Sequence, residues 1–180
     1  MNNDRRNWKS NNVFEEKFKK MGLTNEESNI SKEKNIREKN YDENKIKFTF
    51  EKDGFRDGNG NIRENLITKE AKEIADSFKN DGLSNSQLRA FFNEVKALNN
   101  RLGDEENLKK FASIYPLILM IKAKIAYRAN KDNKMKNLKN FLDSAVDYIK
   151  KENENEKGYK TFKDFVIFFE TIVGYADLRN

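Results

Sequence analysis

The 180-residue sequence contains no cysteine, no histidine and a single proline. Without cysteine it can form neither a disulfide nor a thiolate metal site. Without histidine it lacks the commonest general base and the commonest metal ligand. Carboxylates could still hold Mg²⁺ or Ca²⁺, but zinc is not expected, and no metal or other cofactor is predicted. No apolar run approaches the roughly 20 residues needed to span a bilayer. The opening MNNDRRNWKS also lacks the apolar centre of a signal peptide. The expectation is a soluble, cytoplasmic protein with no membrane partner. Nucleophile elbows, phosphate-binding loops, dinucleotide fingerprints and paired-carboxylate motifs are all missing, so no catalytic residue is assigned and the chain is not expected to be an enzyme.

What the chain does have is charge, unevenly placed. Charged residues make up 37% of it, with a formal net charge of +6 and a mean hydropathy of −0.99. The stretch Lys109–Lys139 holds nine basic residues and one acid, Asp132, a formal +8, so the rest of the chain is close to neutral. Lysine and asparagine are common throughout, and total lysine therefore means little; the asymmetry means more. A concentrated basic segment points to a polyanionic partner. An acidic protein is the alternative.

Residues 1–65 form a polar extension with 15 basic and 13 acidic residues and few aliphatics. It is expected to be largely irregular. A short amphipathic helix is predicted at Val13–Met21, stopped by Gly22, and Thr24 with Glu27 has capping-box spacing. Ile46, Phe48 and Phe50 alternate with polar residues, which predicts a strand. Asp57–Asn61 reads as a turn. Its D-x-N-x-N spacing resembles a calcium loop, but Ile62 stands where such a loop needs Gly and Thr68 where it needs Glu.

From residue 66 onward the periodicity is helical, and the predicted fold class is all-α: a compact bundle of about five helices spanning 66–180. The first helix carries Ile67, Ala71, Ile74 and Phe78 on one face, with Thr68 as its cap and Gly82 as its stop. Ser84 and Gln87 form a capping box for the second, with Leu83 and Leu88 at staple spacing. Leu88, Phe91, Phe92, Val95, Leu98 and Leu102 make its inner face, and Arg89, Asn93, Lys96 and Asn100 a polar stripe opposite. The third helix starts at Asp104–Glu106 and should be kinked or split at Pro116. It carries Ile114, Ile118, Ile121 and Ile125 inward. Leu119, Ala123 and Ala126 widen that face, which places this helix at the centre of the bundle. Lys124, Arg128 and Lys131 run along its outer edge beside Tyr127. After a polar turn, Lys131–Lys136, the fourth helix turns Leu138, Phe141, Leu142, Ala145, Val146 and Ile149 inward. The last is preceded by the acidic linker Glu152–Gly158 and capped by Thr161 and Asp164. It buries Phe162, Phe165, Val166, Phe169, Ile172, Val173 and Ala176. Glu170, a carboxylate in that apolar helix, reads as an edge residue paired to a base on a neighbouring helix; a catalytic role for it has no supporting neighbour.

Three segments together carry a family resemblance. SNSQLRAFF (Ser84–Phe92), KIAYRANKD (Lys124–Asp132) and FKDFVIFFETIVGY (Phe162–Tyr175) are similar, in order and spacing, to segments of the small subunit of the type III-A CRISPR–Cas effector, the Csm complex. The resemblance covers roughly residues 67–175. Where that family has Gly-Arg, this chain has Asn130-Lys131, which keeps the charge without the bidentate fork of arginine. Where the family ends in a basic-aromatic pair, it has Ala176-Asp177. The resemblance implies a five-helix, non-catalytic subunit of an antiviral, RNA-guided ribonucleoprotein. Copies of it would stack along the complex beside the backbone and large subunits and line the channel that holds guide RNA and target RNA. Arg89 and Lys96, with Lys124, Arg128, Lys131, Lys134 and Lys136, are the expected RNA-backbone contacts.

Overall fold

The computed structural model describes residues 48–103 and 107–176. All belong to the second of two compact units, Ile46–Asn180; the first, Met1–Lys45, lies outside the described residues. The helix predicted at Val13–Met21, the Thr24–Glu27 box and the helix start at Asp104–Glu106 therefore fall outside them too.

Among the described residues there are six α-helices and no strand. They are α1 (Phe50–Asp53), α2 (Ala71–Asn80), α3 (Asn85–Leu102), α4 (Leu108–Ala129), α5 (Lys136–Asn153) and α6 (Gly158–Tyr175). A π turn, Leu66–Glu70, runs directly into α2, and a 3₁₀ turn, Asn133–Met135, leads into α5. The all-α bundle is as the periodicity predicts.

The strand expected at Ile46–Phe50 is not formed within the described residues. Thr49 is helical and the backbone closes on itself, Asp53 N–H donating to Thr49 O at 2.8 Å and Gly54 N–H to Phe50 O at 3.0 Å. With no second strand to accept its backbone groups, a helical turn satisfies them locally. Phe48 and Phe50 both sink into the core, their rings stacked 5.4 Å apart. The Asp57 turn forms: its Oδ1 accepts from the N–H groups of Asn59 and Asn61 at 2.9 Å, and Arg56 bridges Ile62.

Composition alone assigns residues 48–65 to the polar extension. In the structure they are bound to the bundle by phenylalanines and two arginines. Phe48, Phe50 and Phe55 are buried. Arg56 makes a bidentate pair with the buried Asp164 of α6, at 2.7 and 2.6 Å. That carboxylate raises the pKa of the guanidinium, chiefly through the hydrogen bond. Arg63 donates to Gly54 O at 2.8 Å and to the buried Glu70 at 3.1 Å, and Glu70 also accepts from Asn65 and Thr49. Buried carboxylates need such partners, because desolvation without them is costly.

Two expected caps give way to this network. Thr68 does not cap α2; it sits inside the π turn, its hydroxyl donating to Glu64 O at 2.8 Å. Thr161 and Asp164 do not cap the last helix, which begins three residues earlier at Gly158 and buries both. The capping box of α3 does form: Ser84 Oγ accepts from Gln87 N–H, and Ser84 N–H donates back to the Gln87 side chain at 3.0 Å. Leu83 and Leu88 are buried around it, and Gly82 and Gly103 stop α2 and α3 at φ +74°.

The core is built around α6 rather than α4. Helix α6 packs against α2, α3 and α5, and also against the π turn. Phe162, Phe165, Phe168 and Phe169 are fully buried. Phe141 of α5 lies within 6.4 Å of six other rings, three of them on α6, mostly edge to face. Helix α4 packs chiefly against α3 and α5. Its inner face is Phe111, Ile114, Ile118, Ile121 and Ile125. Pro116 does not split it: the helix is continuous from Leu108 to Ala129, and Pro116 is exposed, so the carbonyl deprived of its donor faces solvent. Ala123 is exposed and Leu119 and Ala126 only half-buried, so the central position expected for this helix is corrected to an outer one.

Candidate nucleic-acid interface

The basic residues of α4 and the turn after it follow from local structure. Asn107 caps the start of α4 by accepting from Lys110 N–H at 2.9 Å. At the other end the chain reverses through a tight turn held by Asp132, whose Oδ1 accepts from Lys134 N–H at 3.0 Å. The second oxygen of Asp132 accepts from Gln87 Nε2 at 2.7 Å. Gln87 thus caps α3 with its oxygen and ties the α4–α5 turn with its nitrogen. These two hydrogen bonds, Gln87 first, hold the Asp132 carboxyl below the usual carboxylate range. The turn is pinned further where Asp81 at the end of α2 accepts from Asn137 N–H at 2.9 Å.

Around this turn lie Arg128, Lys131, Lys134 and Lys136. The Arg128 guanidinium stands over the Phe91 ring of α3, 4.8 Å from its centroid. Lys131 lies 4.3 Å from the centroid of the exposed Tyr127 ring and donates to its hydroxyl at 2.5 Å. Arg128 and Lys131 form no ion pair with a described residue, and the Lys134 stem lies across Gly82. The rings support the cations without neutralising them.

The remaining predicted contacts are differently placed. Lys124 is paired with Glu94 of α3, Lys96 with Glu170 of α6 at 2.8 Å. The partner expected for Glu170 is therefore found, and it is one of the proposed RNA contacts. Lys122 pairs with Asp147 at 2.6 Å and Lys139 with Asp143. The 9:1 ratio within the segment overstates its free charge, because the acids that match it come from α3 and α5. Arg89 is exposed and makes no ion pair or hydrogen bond to a described residue. Lys96 and Glu94 are two positions apart, so they lie about 160° apart around α3. Glu94 faces α4, and Lys96 faces α6. Arg89 and Lys96 are thus on the far flank of α3 from Arg128, and the two stripes are not one surface.

Sequence reasoning missed Phe91 and Gln87 as supports of the basic end. The only local signal was Asp132, a lone acid among nine bases. No group of His, Cys, Asp or Glu suited to a metal occurs among the described residues, and none of the helices described there is long and apolar enough to cross a membrane.

These features define a class: a small helical-bundle protein with a basic end. The particular family follows from comparison with family models. Residues 62–178 match the model described as Csm2 Type III-A, and since that is more than half of the chain, the protein belongs to this family, the small subunit of the type III-A Csm complex. Comparison with curated proteins and with solved structures gave no significant match.

Proposed function

We propose that this chain is a non-catalytic subunit that holds RNA through the end of the bundle formed by α4 and the α4–α5 turn. Family membership supplies the setting, a type III-A CRISPR effector. The observation that carries the RNA reading is the pair Arg128 and Lys131, each held on an aromatic ring with no ion pair to a described residue, with Lys134 beside them in the turn that Asp132 and Gln87 hold. Cations held on aromatic rings and left without carboxylate partners are suited to phosphates. Arg89 is a separate candidate contact on the other flank of α3. Lys96 and Lys124 contribute less, since each must leave a carboxylate first. Guide RNA and target RNA are the proposed ligands; backbone and large subunits and further copies of this chain are the proposed neighbours, in the cytoplasm.

The test is binding of a short target-strand RNA by the full chain across a salt series. Replacing Arg128, Lys131 and Lys134 together by Ala should lower affinity more than about tenfold at physiological salt. It should also flatten the log–log salt dependence by about two to three. An unchanged slope overturns the RNA reading, and an acidic protein partner then becomes the better explanation.

A further inference from the structure

A cavity of about 340 Å³ opens at the start of α4 and is lined by three rings, Phe111 and Tyr115 of α4 and Tyr159 of α6. Phe111 stands 5.8 Å from Tyr115 at 46° and 6.0 Å from Tyr159 at 76°, so the rings meet as walls rather than as a parallel stack. Phe111 and Tyr159 are buried and Tyr115 is half-buried. The one charged side chain in the lining is Glu156, in the turn between α5 and α6. It has φ +61°, the left-handed conformation that usually falls to glycine. The turn closes around it, Lys157 N–H donating to Glu152 O at 3.0 Å and Glu156 N–H to Asn153 O at 3.1 Å. A glycine would close the same turn without strain but would bring no carboxylate to the mouth of the cavity. The Glu156 side chain is exposed and makes no hydrogen bond or ion pair with a described residue. Asn153 completes the polar side. A Cβ at Gly158 would fall 2.5 Å from its amide oxygen, so glycine at the first position of α6 leaves Asn153 its place in the lining.

The lining selects its ligand by charge. Ring faces are electron-rich, and the carboxylate adds a full negative charge. A phosphate is repelled by both. An apolar group leaves the carboxylate unused, and a quaternary ammonium offers it no N–H. A guanidinium suits both parts, because it is flat enough to lie on a ring and its N–H fork matches a carboxylate. We propose that this cavity is a cage for a guanidinium on an alkyl stem, with Phe111, Tyr115 and Tyr159 as its walls and Glu156 as its anionic partner. The cations nearest in sequence, Lys109, Lys110 and Lys157, do not line it. At 1.5 Å per residue Phe111 lies about 26 Å along α4 from Arg128. The cage is therefore separate from the basic end proposed to hold RNA and does not rest on that reading.

The experiment is an NMR titration of the full chain with two probes: agmatine, a free alkyl guanidine, and N-acetylarginine methylamide, an arginine in a peptide setting. The ring signals of Tyr115 and Tyr159 and the amide of Glu156 should move together, with a Kd on the order of 1 mM. The tighter probe names the source, a free guanidine or a peptide side chain. Glu156→Gln and Tyr115→Leu should each weaken binding about tenfold, whereas Tyr115→Phe, which keeps the ring, should bind as the wild type does. Binding of target-strand RNA should be unchanged in all three. If Tyr115→Leu is poorly folded, Glu156→Gln decides, since that side chain is exposed and bonds to no described residue. Undiminished binding by Glu156→Gln overturns the proposal, and so does equal binding of the neutral N-acetylcitrulline methylamide. Tighter binding of adenosine than of either guanidine also overturns it, by making the cavity a base-stacking site. Absence of shifts up to about 10 mM of either probe does the same.

Discussion

Helices α4 and α6 carry similar quantities of apolar side chain and have opposite places in the molecule. Helix α6 packs against α2, α3 and α5, and even its buried carboxylate, Asp164, is satisfied by an arginine from the segment before the bundle. Helix α4 lies outside, buries one face and leaves the other to solvent. The difference teaches that apolar content sets how much surface a helix must cover, not what covers it. For α6 the covering is mostly intramolecular, with Ile167 and Tyr175 left exposed. For α4 one face is covered by α3 and α5 and the other is left open.

The contrast can be broken most strongly in the core. Phe169→Ala in α6 removes a ring that contacts Phe92, Phe141 and Phe165, and should cost about 3–5 kcal/mol in urea denaturation. Met120→Ala on the outer face of α4 should stay within about 0.5 kcal/mol. Equal losses would show that α4 is covered within the chain after all.

A smaller effect is expected at the α6 carboxylate. Arg56→Ala leaves Asp164 buried with its ionised oxygens unpaired and should cost about 1–3 kcal/mol, less than a fully enclosed pair because the arginine is half exposed. The matching ion pair on α4, Lys122 with Asp147, joins two exposed side chains. Lys122→Ala should cost less than about 1 kcal/mol, and added salt should shrink even that. Denaturation of both variants at low and high salt checks the ordering.

The smallest effect is at the turn that ends α4. The Asp132 carboxyl is depressed in the folded chain by Gln87 and by the Lys134 N–H. Its contribution is therefore present above the usual carboxylate value and is lost as pH falls through the depressed one. Lowering the pH through that depressed value should release the Gln87 side-chain amide, visible as a shift of its NMR signals that Asp132→Asn abolishes.

Much of the bundle was legible in the residues. Leu88, Phe91, Phe92, Val95, Leu98 and Leu102 of α3 are buried as their spacing requires, and so are the six inward residues named for α5. Both helices have one apolar face, and a 3.6-residue period then leaves a single orientation. The capping box was legible because it needs only Ser84, Gln87 and the backbone between them. The segment 48–65 was not, because its role depends on Glu70 and Asp164, the latter 108 residues away from Arg56 in sequence. The basic site was legible as charge but not as a surface. Lys96 and Lys124 have partners on other helices, and no local pattern in the sequence announces a carboxylate on a different helix.

What the sequence determined by itself is the set of helices, their inner faces and the excess of positive charge in one segment, since each depends on side chains within a few turns of one another. Tertiary structure alone decided that α6 rather than α4 is enclosed, that α3 separates the two basic stripes, and which lysines keep their charge unmatched. Those outcomes depend on which helices become neighbours. Apolar period is blind to that choice whenever a helix, like α4, has two faces to offer.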